Sequence, residues 1–133
     1  MKRYVADTHA VLWFCAGDLR RLGPAARRAF REQKSGTARV HVSVVSLWEV
    51  ALLRDEGRIR LPAGFPAWCE ALAAEAGLLV EPLVLGDVDA ARGLPDLRDP
   101  HDRLIAGTSL RLVATLLSAD SRFAEHKGVR VAW

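Results

Sequence analysis

The chain has 133 residues, of which 50% are hydrophobic and 26% are charged. It is too apolar for a disordered segment and long enough for one domain with a buried core, and no run approaches the roughly 18 apolar residues of a membrane helix. The net charge of +3 permits an anionic partner without requiring one.

Short apolar runs alternate with helical patterns along the first half of the chain. We expect, in chain order, a strand at residues 4–6, a helix through Leu12 and Cys15 that ends near Gly17, a helix from Pro24 to about Lys34, a strand at residues 40–45 and a helix from Ser46 to about Gly57. Proline is favoured at the first position of a helix, and β-branched valines at residues 40, 42, 44 and 45 favour a strand.

The same alternation continues to the C-terminus. We expect a helix from Pro66 to about Ala76, a strand at residues 78–80, a short helix from about Asp87 to Arg92, a longer helix that opens at Asp99, an apolar run at residues 113–117 and a final strand at residues 129–133. Nearly continuous apolar strands between helices are typical of a mostly parallel sheet with helices on both faces. Because no repeat or linker interrupts the pattern, we predict one α/β domain over residues 1–133 with three layers, α/β/α.

The compartment is indicated by the N-terminus and the cysteines. A carboxylate at Asp7 comes too early for a signal peptide, so we expect the protein to be cytoplasmic. Cys15 and Cys69 lie far apart and belong to no C-x-x-C pair, which makes a disulfide or a structural zinc site unexpected in a reducing compartment. We interpret both as small buried apolar residues.

Acidic side chains recur where predicted strands end or helices begin. Asp7 follows the first strand, Glu49 lies in the first turn after the second strand, and Asp120 follows the last long apolar run. Because the carboxyl ends of parallel strands meet at one edge, we expect these side chains to lie together. Asp99 and Asp102 join them if the loop before their helix returns to that edge.

Such a group of carboxylates has a chemical consequence. Carboxylates in one cleft repel each other, and some must take up protons unless a cation neutralises them. Mg²⁺ prefers oxygen ligands and retains waters, and the lack of a cysteine and histidine ligand set indicates Mg²⁺ or Mn²⁺ rather than zinc. A bound ion of this kind supports hydrolysis of phosphodiesters.

Each acidic residue also has a purely structural interpretation. Ser46 and Glu49 fit the S-x-x-E capping box, and Asp99 and Asp120 fit the N-cap positions of the helices that follow them. Asp7 fits such a role least, because a carboxylate at the end of a buried strand is costly without a partner. No single position decides between the two interpretations, but their coincidence at one edge favours a site.

Four blocks of sequence resemble, in family order, the motifs of VapC-type PIN-domain ribonucleases. The blocks are D-T-H-A-V-L-W at residues 7–13, S-V-V-S-L-W-E at residues 43–49, D-P-H-D-R-L-I-A at residues 99–106 and S-A-D at residues 118–120. Together they span nearly the whole chain. The last block has Ser118 where the family usually has threonine, which retains the hydroxyl.

The resemblance implies a PIN fold and an endoribonuclease that depends on Mg²⁺ or Mn²⁺. It further implies an RNA substrate, inhibition by a cognate VapB-like antitoxin, and a homodimer. Carried over residue by residue, the catalytic acidic quartet is Asp7, Glu49, Asp102 and Asp120. Asp7 and Asp102 are expected to bind the metal directly.

Supporting roles follow from the same blocks. Thr8 and Ser43 are expected to orient metal-bound water or neighbouring carboxylates, and Ser118 to donate a hydrogen bond to the site. Asp99 is expected behind the metal ligands or as a helix cap. Arg103 either pairs with a site carboxylate or an RNA phosphate, or forms a salt bridge that stabilises its helix.

Flanking aromatic residues have less specific interpretations. His9 and His101 are expected to contact RNA or to pack locally rather than to bind metal. Trp13 and Trp48 are expected in the core or in a groove for a partner rather than as platforms for base stacking.

Three other kinds of protein also carry acidic residues at strand ends or share this fold, and the sequence fits them less well than a nuclease. A response-regulator receiver needs a lysine at the end of a late strand, but the late lysine here, Lys127, follows a helix candidate. A haloacid-dehalogenase-type phosphatase needs an aspartate where this chain has His9. The remaining alternative is a non-catalytic PIN-like module that binds RNA or a partner without cutting.

Overall fold

The computed structural model describes residues 1–126 and 128–133. Within them the elements are β1 (Lys2–Ala6), α1 (Thr8–Cys15), α2 (Pro24–Ser35), β2 (Ala38–Ser43), α3 (Val44–Asp55), α4 (Phe65–Ala74), β3 (Leu79–Glu81), α5 (Leu85–Arg92), α6 (Pro100–Arg111), β4 (Thr115–Leu117), α7 (Ser121–Ala124) and β5 (Val131–Ala132). A short 3₁₀ turn at Leu19–Arg21 separates α1 from α2. Lys127, the late lysine that a response-regulator receiver would require at a strand end, lies outside the described residues.

The strands of the described residues form one parallel sheet in the order β3-β2-β1-β4-β5. Its central strand, β1, pairs with β2 on one side and β4 on the other. Val5 and Ala6 point to opposite faces of this strand and are both 0% exposed. Burial on both faces explains why the strands appear in the sequence as continuous apolar runs, and the strand pairing confirms the predicted parallel sheet.

Helices cover both faces of the sheet. One face packs against α1, α2 and α4 through Ala10, Phe30 and Leu72. The other packs against the start of α3 and against α6 and α7, with Ile105 and Phe123 in its core. The predicted three-layer α/β/α architecture is therefore confirmed.

The helices α5 and α6 pack unusually closely. A Cβ atom added at Gly107 would lie 2.5 Å from the carbonyl oxygen of Asp87, so only glycine permits this approach. The close contact holds α6 against α5, and the first turn of α6 carries Asp102.

The boundary between β2 and α3 differs from the prediction. Val44 and Val45 belong to the helix, although β-branched residues suggested a longer strand. Ser43 ends the strand, and its Oγ accepts a hydrogen bond from the backbone N–H of Val45, which makes it the N-cap. The hydroxyl of Ser46, the predicted cap, has no hydrogen-bond partner among the described residues.

Smaller corrections concern strand ends and cysteines. The last two strands are shorter than predicted, and Val113 lies in a turn with a φ of 52° before β4 begins. The burial predicted for the cysteines is wrong, because Cys15 is exposed and Cys69 is partly exposed, and both are free thiols. Among the described residues no helix has both the length and the apolar composition to span a membrane.

Candidate active site

A cleft of about 580 Å³ opens where β1 and β4 end. The four carboxylates of the acidic quartet line it, and Asp99 lies beside them; the quartet residues are Asp7, Glu49, Asp102 and Asp120. The loop before α6 thus returns to the carboxyl edge of the sheet, as convergence of the site requires. Acidic residues from four separate stretches of the chain share one cavity.

Most of these acidic residues also cap helices. Asp7 accepts a hydrogen bond at 2.9 Å from the backbone N–H three residues later, at the start of α1. Asp99 accepts two such bonds at 2.8 and 3.1 Å at the start of α6, and Asp120 accepts one at 2.9 Å at the start of α7. The helix ends therefore hold these carboxylates and favour their negative charge, so a capping role does not remove them from the cleft.

Glu49 is held in a different way. The hydroxyl of Thr8 donates to Glu49 Oε1 at 2.6 Å, and His101 Nδ1 lies 3.9 Å from Glu49 Oε2. The capping box predicted from Ser46 and Glu49 is wrong, because the helix begins two residues before Ser46. Glu49 faces the cleft instead.

Burial raises the pKa of both Asp7 and Asp102. Loss of hydration raises the pKa of Asp7, although hydrogen bonds from Ser118 and from the Ala10 N–H oppose the change. Burial, followed by repulsion from Asp99 and Glu49, raises the pKa of Asp102 to about 7. Both carboxylates lack enough positive charge nearby, which is the condition that a bound cation relieves.

The pKa of Asp120 is changed in the opposite direction, because a cation lies beside it. Arg122 donates to both of its carboxylate oxygens, with distances of 3.0, 3.0 and 2.5 Å, and these bonds lower the pKa of Asp120. The same guanidinium reaches Asp102, with 3.6 Å between Nη2 and Oδ2. Arg122 is not among the residues predicted from the sequence, where the available signal is its place as the second residue of the helix that Asp120 caps.

The supporting residues separate into two groups. Ser118 and Thr8 contact residues of the acidic quartet. Ser118 Oγ accepts from the Asp120 N–H at 3.0 Å and its hydroxyl opposes the rise in the pKa of Asp7, while Thr8 donates to Glu49. Ser43 is buried and caps α3 outside the cleft lining. Arg103 pairs with no carboxylate among the described residues: its Nε donates to the carbonyl oxygen of Ala91 at 3.2 Å, which ties α6 to α5, and the expected contact with an RNA phosphate stays a prediction.

Aromatic residues form one wall of the cleft. The His9 ring lies 5.5 Å from that of Trp13, and Trp13 meets Trp133 edge-on at 5.7 Å. Trp13 packs against the core and lines the cleft, while Trp48 on α3 is 55% exposed and therefore not a core residue.

The charge of the lining is strongly unbalanced. Among the described residues the cleft wall contains six carboxylates and two guanidinium groups, those of Arg58 and Arg122. In their present rotamers no three acidic, histidine or cysteine side chains of the described ranges are arranged to enclose a metal ion. The donor set is nevertheless all oxygen and open to solvent, which fits an ion such as Mg²⁺ that retains several waters.

Comparison with known families identifies the fold. The family model of the PIN domain matches residues 4–129. The chain belongs to the PIN-domain family. Ribonuclease VapC22 of Mycobacterium tuberculosis is 29% identical over 98% of this chain and 96% of its own length.

Solved structures share the PIN fold at lower identity. VapBC2 from Rickettsia felis, bound to a DNA fragment from its promoter, matches with a TM-score of 0.72 and 13% identity over 98% of both chains. DNA-bound VapBC from Salmonella typhimurium matches with a TM-score of 0.71 and 18% identity over 99% of this chain and 98% of the other. The PIN fold that the sequence motifs implied is confirmed.

Proposed function

We propose that this single-domain PIN protein is a VapC-type toxin, a metal-dependent endoribonuclease that hydrolyses phosphodiester bonds of RNA and is inhibited by a cognate VapB-like antitoxin. The observation that carries the proposal is the convergence of Asp7, Glu49, Asp102 and Asp120 on one cleft. The resemblance to a relative named as a ribonuclease supports it, as do the similar folds in VapBC complexes.

Asp7 and Asp102 are the proposed metal ligands, and Mg²⁺ or Mn²⁺ is the proposed ion. Both carboxylates are largely buried, and burial raises the pKa of each, so a divalent cation would favour their charged forms. When bound, such an ion supplies a water of lowered pKa and neutralises charge that builds on a phosphoryl oxygen.

The chain's other residues prepare this chemistry. Thr8 fixes one oxygen of Glu49, and Ser118 holds both Asp7 and the backbone of Asp120. Asp99 caps α6 and repels Asp102, which raises the affinity of that carboxylate for any cation. Held in this way, Glu49 and Asp120 can orient water and RNA beside the ion without reorganising.

The proposed partners follow from this function. RNA as substrate implies that the protein acts in the cytoplasm. A homodimer and an antitoxin complex both need apolar surface, and the segment from the end of β3 into α5 exposes such side chains: Val80, Leu83, Val84, Leu85 and Val88. Leu85, at 83% exposure, is the most accessible of them.

The alternative, a non-catalytic PIN-like module, has one observation in its favour. The carboxylates of the described residues are not arranged to enclose an ion in their present rotamers. Such a module would bind RNA in the cleft and leave it intact, so a cleavage assay separates the two functions.

The test is cleavage of total cellular RNA by the purified protein with Mg²⁺, with excess EDTA, and after Asp7→Asn. We expect cleavage with Mg²⁺ by the unmodified protein and by the control variant Asp89→Asn, and none with EDTA or after Asp7→Asn. Asp89→Asn is the matched control, because Asp89 is an exposed residue of α5 outside the cleft lining and the change is chemically the same. Equal cleavage under all conditions would remove the metal-nuclease proposal, and binding without cleavage would favour the alternative.

A further inference from the structure

We propose that the guanidinium of Arg122 competes with the divalent cation for Asp102 and Asp120, so that metal loading requires Arg122 to leave both carboxylates. The inference rests on the proposed function of the cleft, since it assigns a role to Arg122 in the loading of that site. It makes Arg122 an internal counter-ion that the metal replaces.

The geometry places one nitrogen between two carboxylates. Arg122 Nη2 lies 2.5 Å from Asp120 Oδ2 and 3.6 Å from Asp102 Oδ2. Its Nε lies 3.0 Å from each oxygen of Asp120, so the fork of the guanidinium covers the face of that carboxylate. Among the described residues, Arg122 is the cation that contacts both side chains.

The electrostatics explain why the guanidinium lies there. Asp102 is repelled by Asp99, Glu49 and Asp120, and Arg122 is the group that opposes this repulsion. The other guanidinium of the cleft, that of Arg58, lies 3.7 Å from Glu56 instead. Of the two guanidinium groups, the one of Arg122 therefore lies among the carboxylates of the acidic quartet.

A divalent ion and this guanidinium exclude each other. An ion bound by Asp102 would lie about 2 Å from its oxygen, close to the space that Nη2 now fills, and two cations at that separation repel. The Arg122 side chain is 63% exposed, so it can move into solvent with little loss of packing.

The experiment measures Mn²⁺ binding directly, by electron paramagnetic resonance of the free ion. We compare the unmodified protein with R122Q, R122K and R58Q, after circular dichroism has established that each is folded. R58Q is the matched control, because it removes the same charge from the same cleft without touching Asp102 or Asp120. R122K retains the charge but loses the fork.

We expect R122Q to bind Mn²⁺ about five- to tenfold more tightly than the unmodified protein, R58Q to change affinity by less than about twofold, and R122K to lie between the unmodified protein and R122Q. Unchanged affinity in R122Q, or equal tightening in R122Q and R58Q, would overturn the inference while leaving the metal site intact. Failure of every protein to bind Mn²⁺ would overturn the proposed metal site, and the inference with it.

Discussion

The cleft and a second charged cluster, at the end of β3, differ in whether their buried carboxylates have cationic partners. In the second cluster Asp87 is fully buried, and Arg111 Nε lies 2.5 Å from its Oδ1. Arg111 Nη2 also donates to Glu81 at 3.2 Å, and His41 Nδ1 lies 2.7 Å from the other oxygen of Glu81. Each carboxylate there has a charged or ionisable partner, and the cluster joins β2, β3, α5 and α6.

The cleft has no such balance. Its described lining contains six carboxylates against two guanidinium groups, and the pKa values of Asp7 and Asp102 are raised. The comparison shows that burial alone does not distinguish a structural charge from a functional one. Removing one partner of a matched buried pair destabilises the fold, whereas unmatched charges in an open cleft cost stability and attract a ligand.

Breaking the matched cluster should have the largest effect on stability. Arg111→Met leaves Asp87 buried without its cation, and we expect the free energy of unfolding to fall by about 3 kcal/mol. Arg92→Met is the control, because Arg92 forms an ion pair in which both side chains are exposed. Urea denaturation measures both, and a loss below about 1 kcal/mol for Arg111→Met would contradict the importance assigned to the cluster.

Neutralising a carboxylate of the cleft should instead raise the free energy of unfolding. The pKa of Asp102 is about 7 in the folded protein against 3.8 as its ordinary value, so ionisation penalises the folded state as the pH rises through this window. Asp102→Asn removes that penalty. Without metal, we expect a gain on the order of 2 kcal/mol at about pH 8 that shrinks towards pH 4.

The same substitution should abolish function while it stabilises the protein. Expression of the unmodified chain should arrest growth, and Asp102→Asn should relieve the arrest if Asp102 binds the metal. Undiminished toxicity would count against Asp102 as a ligand. A lower stability at about pH 8 would instead contradict the unmatched charge.

Metal binding should depend on pH for the same reason. Because the pKa of Asp102 is about 7, its proton must be displaced by the ion below that pH. We expect Mn²⁺ affinity to fall by about tenfold from about pH 8 to about pH 6. Calorimetric titration at several pH values measures this, and a flat profile would show that Asp102 does not bind the ion.

The smallest predicted effect tests the start of α3. Ser43→Ala removes the N-cap and should lower the free energy of unfolding by about 1 kcal/mol. Ser46→Ala removes a buried hydroxyl that has no partner among the described residues, and should change it by less than about 0.5 kcal/mol. Equal losses in the two variants would restore Ser46 as a cap.

The errors of the sequence analysis have a common cause. Valines at residues 44 and 45 favour a strand by propensity, but the cap at Ser43 starts the helix earlier. The motif left open whether Arg103 pairs with a site carboxylate, an RNA phosphate or a neighbour on its helix, because the direction of its Nε depends on how α6 packs against α5. Local pattern identifies an element well, while the end of an element and the direction of a side chain depend on neighbours distant in sequence.

The sequence by itself determined the alternation of strands and helices, the parallel sheet and the acidic side chains at the ends of elements. These properties follow from apolar periodicity and from the local chemistry of helix caps. Only the tertiary structure decided that the first turn of α6 returns to the edge where β1 ends, and that Arg122 lies between Asp102 and Asp120. Both depend on packing between elements, because the partners come from distant parts of the chain and no local pattern specifies their distance.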